Sequence, residues 1–295
     1  MKHFFMEYGK IIVVGALTVT GLMFTTPFAE AVTGSVANFT TGLSSKYEPK
    51  ELIDGDNVVL TDNDGDGVAS KGDILTFKKE YLYQENLSWT PLKFRILYTD
   101  GFTAELVSMT SYKINGSDPR FCETHTADTA TDSNGHISLN YKGSQLDTAL
   151  NITYFNLLTD EVKNKIQSKE ITQCVWKYNG IPADATVTTF NGHIIPYKKT
   201  CQVGKYDRKV YALDVQDVVD YLGTSFTSAQ LNKMFTDEEE RSGWNIQLRS
   251  TLYGSDKRTL VATMSGGYFS PDMYLSGECP EARPAFTITL REGIF

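Results

Sequence analysis

The sequence holds no Gly-x-Ser-x-Gly elbow, no His-Glu-x-x-His pair and no glycine-rich phosphate loop, so the usual nucleophilic, zinc-hydrolytic and nucleotide-binding chemistries leave no local signature. Histidine is scarce, with four in 295 residues. His125, His136 and His193 each stand alone in polar, turn-rich sequence, as solvated side chains do. Basic charge is short as well, since 28 basic against 36 acidic residues leave a net charge of −8. A surface of that sign repels phosphate backbones and anionic lipid headgroups. Nucleic acid is thereby excluded as a partner, and a membrane is reached only through the N-terminal segment, if that segment is uncleaved. The four cysteines show no C-x-x-C spacing, which removes zinc-ribbon and thioredoxin-type sites. No catalytic residue and no organic cofactor are assigned.

What is present supports a folded core, because 41% apolar and 12% aromatic residues suffice for one in a chain of this length. Residues 1–31 have three parts: a start containing Lys2 and Lys10, an apolar run from Ile11 to Phe24, and a small-residue end at Ala29-Glu30-Ala31. Ala29-x-Ala31 fits a signal-peptidase site. Retained instead, Ile11 to Val32 approaches the roughly 20 residues of a membrane anchor. Both readings place the remainder outside the cytoplasm, extracellular or on a bacterial cell surface. In an oxidising compartment, the even number of cysteines makes disulfides an expectation. Cys174 with Cys201, which flank a Gly/Pro-containing excursion, and Cys122 with Cys279 is one of three connectivities; four free buried thiols is the alternative.

Residues 32–51 are Gly-, Ser- and Thr-rich and read as a spacer. The folded part is expected from Leu52, with a loop-bearing segment over 52–80 and an α+β domain over 81–295. Phe94, Ile96 and Tyr98 alternate, Asp100-Gly101 supplies a turn, and Ala104, Leu106 and Val107 return, which predicts a hairpin over 93–109. Residues 115–138 read as a long surface loop. Four short helices follow. Ser144 caps the first, whose face carries Leu146, Ala149, Leu150 and Phe155, and Thr159 starts the second through Ile166. Asp214 starts the third, ended by Gly223, and Thr227-x-x-Gln230 opens the fourth. Alternation around Trp244, Ile246 and Leu248, the run Leu260–Met264 and the alternation of Phe286, Ile288 and Leu290 predict later strands. Strands, then helices, then strands imply an α+β domain with a small antiparallel sheet, preceded by an N-terminal apolar helix.

The strongest local motif runs from Asp62 to Asp73. Carboxylates stand at positions 1, 3, 5 and 12 (Asp62, Asp64, Asp66, Asp73), a glycine at 6 (Gly67), a backbone carbonyl at 7 (Val68) and a hydroxyl at 9 (Ser70). A hard dication such as Ca2+ needs six or seven oxygens converging from one short segment, and glycine allows the sharp turn. Without a cation, three aspartates in five residues repel one another. The flanks, Asn57–Leu60 and Ile74–Phe77, have strand rather than helix character, so a static brace is expected and not the opening of a sensor. The segment resembles dockerin loops, with Asp73 in place of the usual glutamate.

Other pieces resemble, in their order, an uncharacterised family of exported bacterial proteins, domain-of-unknown-function family 6273. They are Gly72-Asp73-Ile74, Phe94-Arg95-Ile96-Leu97, Ser144-x-Leu146 with Ala149-Leu150-Asn151, Val210-Tyr211-Ala212-Leu213, Leu248-Arg249-Ser250 and Ala282-Arg283-Pro284-Ala285-Phe286. Trp244-x-x-x-Leu248-Arg249-Ser250 with Arg283-Pro284-Ala285 is also remotely similar to the C-type-lectin-like fold of formylglycine-generating enzymes. That resemblance implies a small sheet carrying irregular loops, on which Tyr253, Tyr268, Phe269 and Tyr274 would suit a glycan or protein ligand. Arg249 and Arg283 are expected to hold loops and carboxylates in place. The functional expectation is a surface-displayed, calcium-binding, non-catalytic binding or adhesion module. Two alternatives stand beside it. Met6-Glu7-Tyr8-Gly9-Lys10 resembles the leader helices of pilin-like filament subunits, and an enzyme of the formylglycine-generating type would require a reactive cysteine pair.

Overall fold

The computed structural model describes residues 52–53, 56–88, 90–114, 129–131, 137–177, 187–190, 193–196, 202–223, 226–237, 245–253, 259–263, 268–273 and 281–291. Residues 1–31, the spacer, Cys122, Cys201, Cys279, His125, His136, Trp244 and Tyr274 lie outside them, as do the side chains of Cys174, His193, Tyr253, Tyr268 and Phe269. Among the described residues no helix is long and apolar enough to cross a membrane.

The fold is α+β and is built on two large sheets. Strands β1 (Val58–Thr61), β2 (Ile74–Phe77), β3 (Lys93–Thr99) and β4 (Thr103–Ser108) follow one another as an antiparallel meander. The order of the first sheet, β1-β2-β3-β4-β15-β7, is completed by β15 (Ala285–Thr289) and the two-residue β7 (Ile166–Gln167), and every pair is antiparallel. The expected hairpin over 93–109 is therefore present, with Gly101 at φ 84° in its turn. A register shift between Ile96 and Tyr98 breaks the alternation there. Leu97 is buried and Tyr98 is turned out to solvent at 60% exposure, because a bulge moves the following residue to the other side. The segment 52–80 is continuous with the rest, since β2 pairs with β3 and the Leu52 amide donates to the Leu290 carbonyl at 2.6 Å.

The second sheet has the order β11-β8-β12-β13-β14, from β8 (Lys169–Lys177), β11 (Gln202–Arg208), β12 (Asn245–Tyr253), β13 (Thr259–Thr263) and β14 (Tyr268–Met273). It departs from the expected small antiparallel sheet in two respects: it is a second sheet, and β8 and β12 run parallel. Tyr253, Tyr268 and Phe269, expected on a loop-rich stretch, lie in strands, Tyr253 in β12 and the other two in β14. Cys174 pairs along the backbone with Gln202, the neighbour of Cys201 in sequence. Within the expected loop 115–138 lie β5 (Thr129–Thr131) and most of its partner β6 (Ile137–Leu139), and β9 (Val187–Phe190) pairs with β10 (His193–Pro196).

Seven helical pieces complete the described residues: α1 (Lys79–Leu82), α2 (Gln145–Thr148), a π-helical turn (Ala149–Tyr154), α3 (Phe155–Leu157), α4 (Asp160–Lys165), α5 (Val215–Leu222) and α6 (Ser228–Phe235). The caps read from the sequence are in place. Ser144 accepts from the Asp147 amide, Thr159 from Val162, and Asp214 and Thr227 each form a reciprocal capping box. The first predicted helix is not uniformly α. Its middle widens to π geometry, which buries Tyr154 fully and leaves Phe155 half-buried. In the same turn the Asn151 side-chain oxygen accepts from the Lys209 amide at 2.9 Å.

Among the described residues the core carries two clusters of three aromatic rings. Phe94 stands edge-on to Phe77 and Phe286, at 5.4 and 5.1 Å between centroids, across the first sheet. Tyr154 sits between Tyr83 and Tyr112, at 6.0 and 4.9 Å, and shares a hydroxyl contact with Tyr83, whose oxygen also donates to the Pro91 carbonyl. The two sheets are stitched together by Val210-Tyr211-Ala212-Leu213, all fully buried. Tyr211 exchanges both backbone hydrogen bonds with Ala285 of β15, while the Leu213 carbonyl accepts from the Arg249 amide of β12.

Candidate metal centre

The twelve residues Asp62–Asp73 are the loop of the β1–β2 hairpin, whose last pair is Thr61 with Ile74. The sheet thus fixes both ends of the loop, as the strand-like flanks predicted. Three glycines take left-handed backbone: Gly65 at φ 82°, Gly67 at φ 76° and Gly72 at φ 100°. Side chains at Gly65 and Gly67 would meet nothing within 4 Å, so backbone conformation and not space demands glycine there.

The loop winds around its own carboxylates. Asp62 accepts from the amides of Gly65 and Gly67 at 2.6 Å and of Asp64 at 3.1 Å. Asp66 accepts from Val68 at 2.7 Å and Asp64 from Asp66 at 3.3 Å. These amide donors, Gly67 first and Gly65 next, hold the Asp62 carboxyl below its ordinary value of 3.8, so it is ionised at neutral pH. One carboxylate oxygen each from Asp62, Asp64 and Asp66 lies within 4.8 Å of the other two. Calcium binds oxygens at about 2.3–2.6 Å, so two ligands on one ion stand no more than about 5 Å apart, and the trio meets that limit.

Asp73 is placed differently. It is buried, with Oδ1 accepting from the Asn63 amide at 2.8 Å and Oδ2 from the Ser70 amide at 2.8 Å. The Ser70 hydroxyl stands 3.1 Å from Asp64 Oδ2 and 3.0 Å from Asp73 Oδ2, and its single proton serves one of them at a time. Asp73 therefore closes the loop, joined to the trio through Ser70. Carboxylate oxygens carry further lone pairs, which leaves its capacity as a ligand intact. Val68 and Ser70, whose carbonyl and hydroxyl are the remaining oxygen donors read from the sequence, lie in the same loop.

Contacts beyond the loop were not legible in sequence. The Lys71 ammonium donates to the Tyr221 carbonyl in the last turn of α5 at 2.6 Å and lies over the Tyr221 ring at 4.8 Å. A cation at a helix C-terminus meets the negative end of the macrodipole. Arg95, buried, donates to the Gly72 carbonyl at 2.6 Å and to Thr236, after α6, at 3.3 Å. These partners lie up to 150 residues apart, and no local spacing announces them.

The pieces that carried the family resemblance form the frame. The Arg208 guanidinium grips Asp147 with two bonds of 2.7 Å, and Asp147 also accepts from the Gly143 amide at 2.8 Å. Asp147→Asn, which removes the charge from three such bonds, is expected to cost about 1.5–3 kcal/mol in urea unfolding. Arg249, 3% exposed, donates to the carbonyls of Thr172 and Ala212 and to Asp217 at 2.6–2.7 Å. Ser250 accepts from the Val215 amide at 2.9 Å, and Arg283 bonds the Phe235 carbonyl and Glu281. Arg249 thus holds two backbone carbonyls and a carboxylate, and Arg283 one of each.

This frame carries a pH dependence. Burial disfavours the ionised Asp217 carboxyl, but Arg249 and Lys169 outweigh it and pull the pKa below 3.8. Lys93, 2.6 Å away, does the same for Asp237. A carboxyl depressed in the folded state stabilises fully above its unfolded value of about 4, and that contribution disappears as pH falls through the folded value. The melting temperature is expected to drop steeply below about pH 4, and Asp217→Asn to flatten the drop.

A family model described as Domain of unknown function (DUF6273) matches residues 123–290. Two of the resembling pieces, Gly72–Ile74 and Phe94–Leu97, fall before the match, as does the acidic loop. No curated protein and no solved structure matches the chain.

Proposed function

The chain belongs to the domain-of-unknown-function family DUF6273, and we propose that its acidic hairpin loop is a calcium site bracing an exported, non-catalytic binding module. The carrying observation is the convergence of Asp62, Asp64 and Asp66 oxygens within 4.8 Å, in a loop whose ends are fixed by paired strands. The Val68 carbonyl and Ser70 hydroxyl add neutral oxygens, and Asp73 the fourth carboxylate, a donor set that suits a hard dication. Bound there, the ion would supply charge neutralisation. Lys71 and Arg95 tie the same loop to the ends of α5 and α6, so an ordered loop steadies those helix ends.

Export rests on the three-part composition of residues 1–31, and the binding role rests on that export, the spacer over 32–51 and the brace at the acidic loop. The C-type-lectin-like comparison rests on Trp244-x-x-x-Leu248-Arg249-Ser250 and Arg283-Pro284-Ala285, and with it goes a glycan or protein as the ligand class. A soluble mature form beginning at Val32, identified by N-terminal sequencing, would support secretion; retention of residues 1–31 would make the protein an anchored one.

The metal reading is tested by calcium titration of the full chain with calorimetric and melting readouts. At calcium 100-fold above the dissociation constant, a one-site ligand stabilises by about 2.7 kcal/mol. The double variant Asp62→Ala, Asp66→Ala is expected to melt at the same temperature with and without calcium. No heat of binding, together with a wild-type melting curve unchanged by excess chelator, would overturn the proposal.

A further inference from the structure

We draw no further inference here: the strongest candidate, the exposed aromatic pair Tyr98 and Phe102 at the β3–β4 end of the first sheet, is an apolar face for which nothing in the structure shows what covers it.

Discussion

A chain beginning at residue 123, where the family match begins, is expected to show no cooperative unfolding transition. Four of the six strands of the first sheet, β1 to β4, precede that residue. Without them β15 keeps, among the described residues, only the two-residue β7 and the single Tyr211–Ala285 bridge as partners. Phe286, Ile288, Tyr154 and Leu158 are now fully buried, and the truncated chain removes Phe94, Leu106, Tyr83 and Tyr112 from around them. Exposing a large apolar side chain costs about 1.5–3 kcal/mol, so four together approach the whole net stability of about 5–15 kcal/mol typical of a domain. Circular dichroism on heating and amide proton dispersion would read the outcome. A sharp transition in the 123–290 fragment would show that the matched segment folds alone.

Arg249→Met is expected to be the most damaging single substitution in the frame, at about 3–5 kcal/mol, because it removes the buried cation shared by two carboxylates, Asp217 at 2.6 Å and the buried Asp214 at 3.9 Å. Asp217 would keep only Lys169 of the two cations that hold it ionised, and the carbonyls of Thr172 and Ala212 would lose this donor. Those carbonyls belong to β8 and to the segment that stitches the two sheets, so the loss reaches both. Arg249→Lys should recover only part of the stability, since an ammonium cannot span three acceptors arranged around a planar fork. Guanidinium unfolding would measure both. A cost below about 1 kcal/mol for the methionine variant, the result expected where an ion pair is dispensable, would reassign the residue to packing.

What could be read from the residues was local. The capping residues Ser144, Thr159, Asp214 and Thr227 act within three positions of themselves, and all four accept the expected amides. The Asp100-Gly101 turn and the strand character beside the acidic loop are equally local. The second sheet was missed as a unit because the pairing that joins its two halves is distant: β12, β13 and β14 pair with sequence neighbours, but Val175 of β8 lies beside Thr251 of β12, with no repeating period to signal it. In β11, Gln202–Arg208, glycine and charged residues obscure the alternation that marks a strand. The π-helical turn escaped for a related reason, since the Asn151 side chain that reaches out of it meets an amide 58 residues away. For the candidate site, the order of oxygen donors was visible, whereas the separate placement of Asp73 and the ties through Lys71 and Arg95 required the fold.

The strand order also sets a timetable for folding. Residues 285–289 are made long after residues 103–108, yet they form a central strand with those residues on one side and 166–167 on the other. The nascent polypeptide must therefore hold an open seam in its first sheet while some 175 intervening residues emerge, a delay that raises the entropic cost of closure. Until that seam shuts, β4 is a bare edge able to recruit a neighbouring chain, and folding should be most prone to aggregation during synthesis.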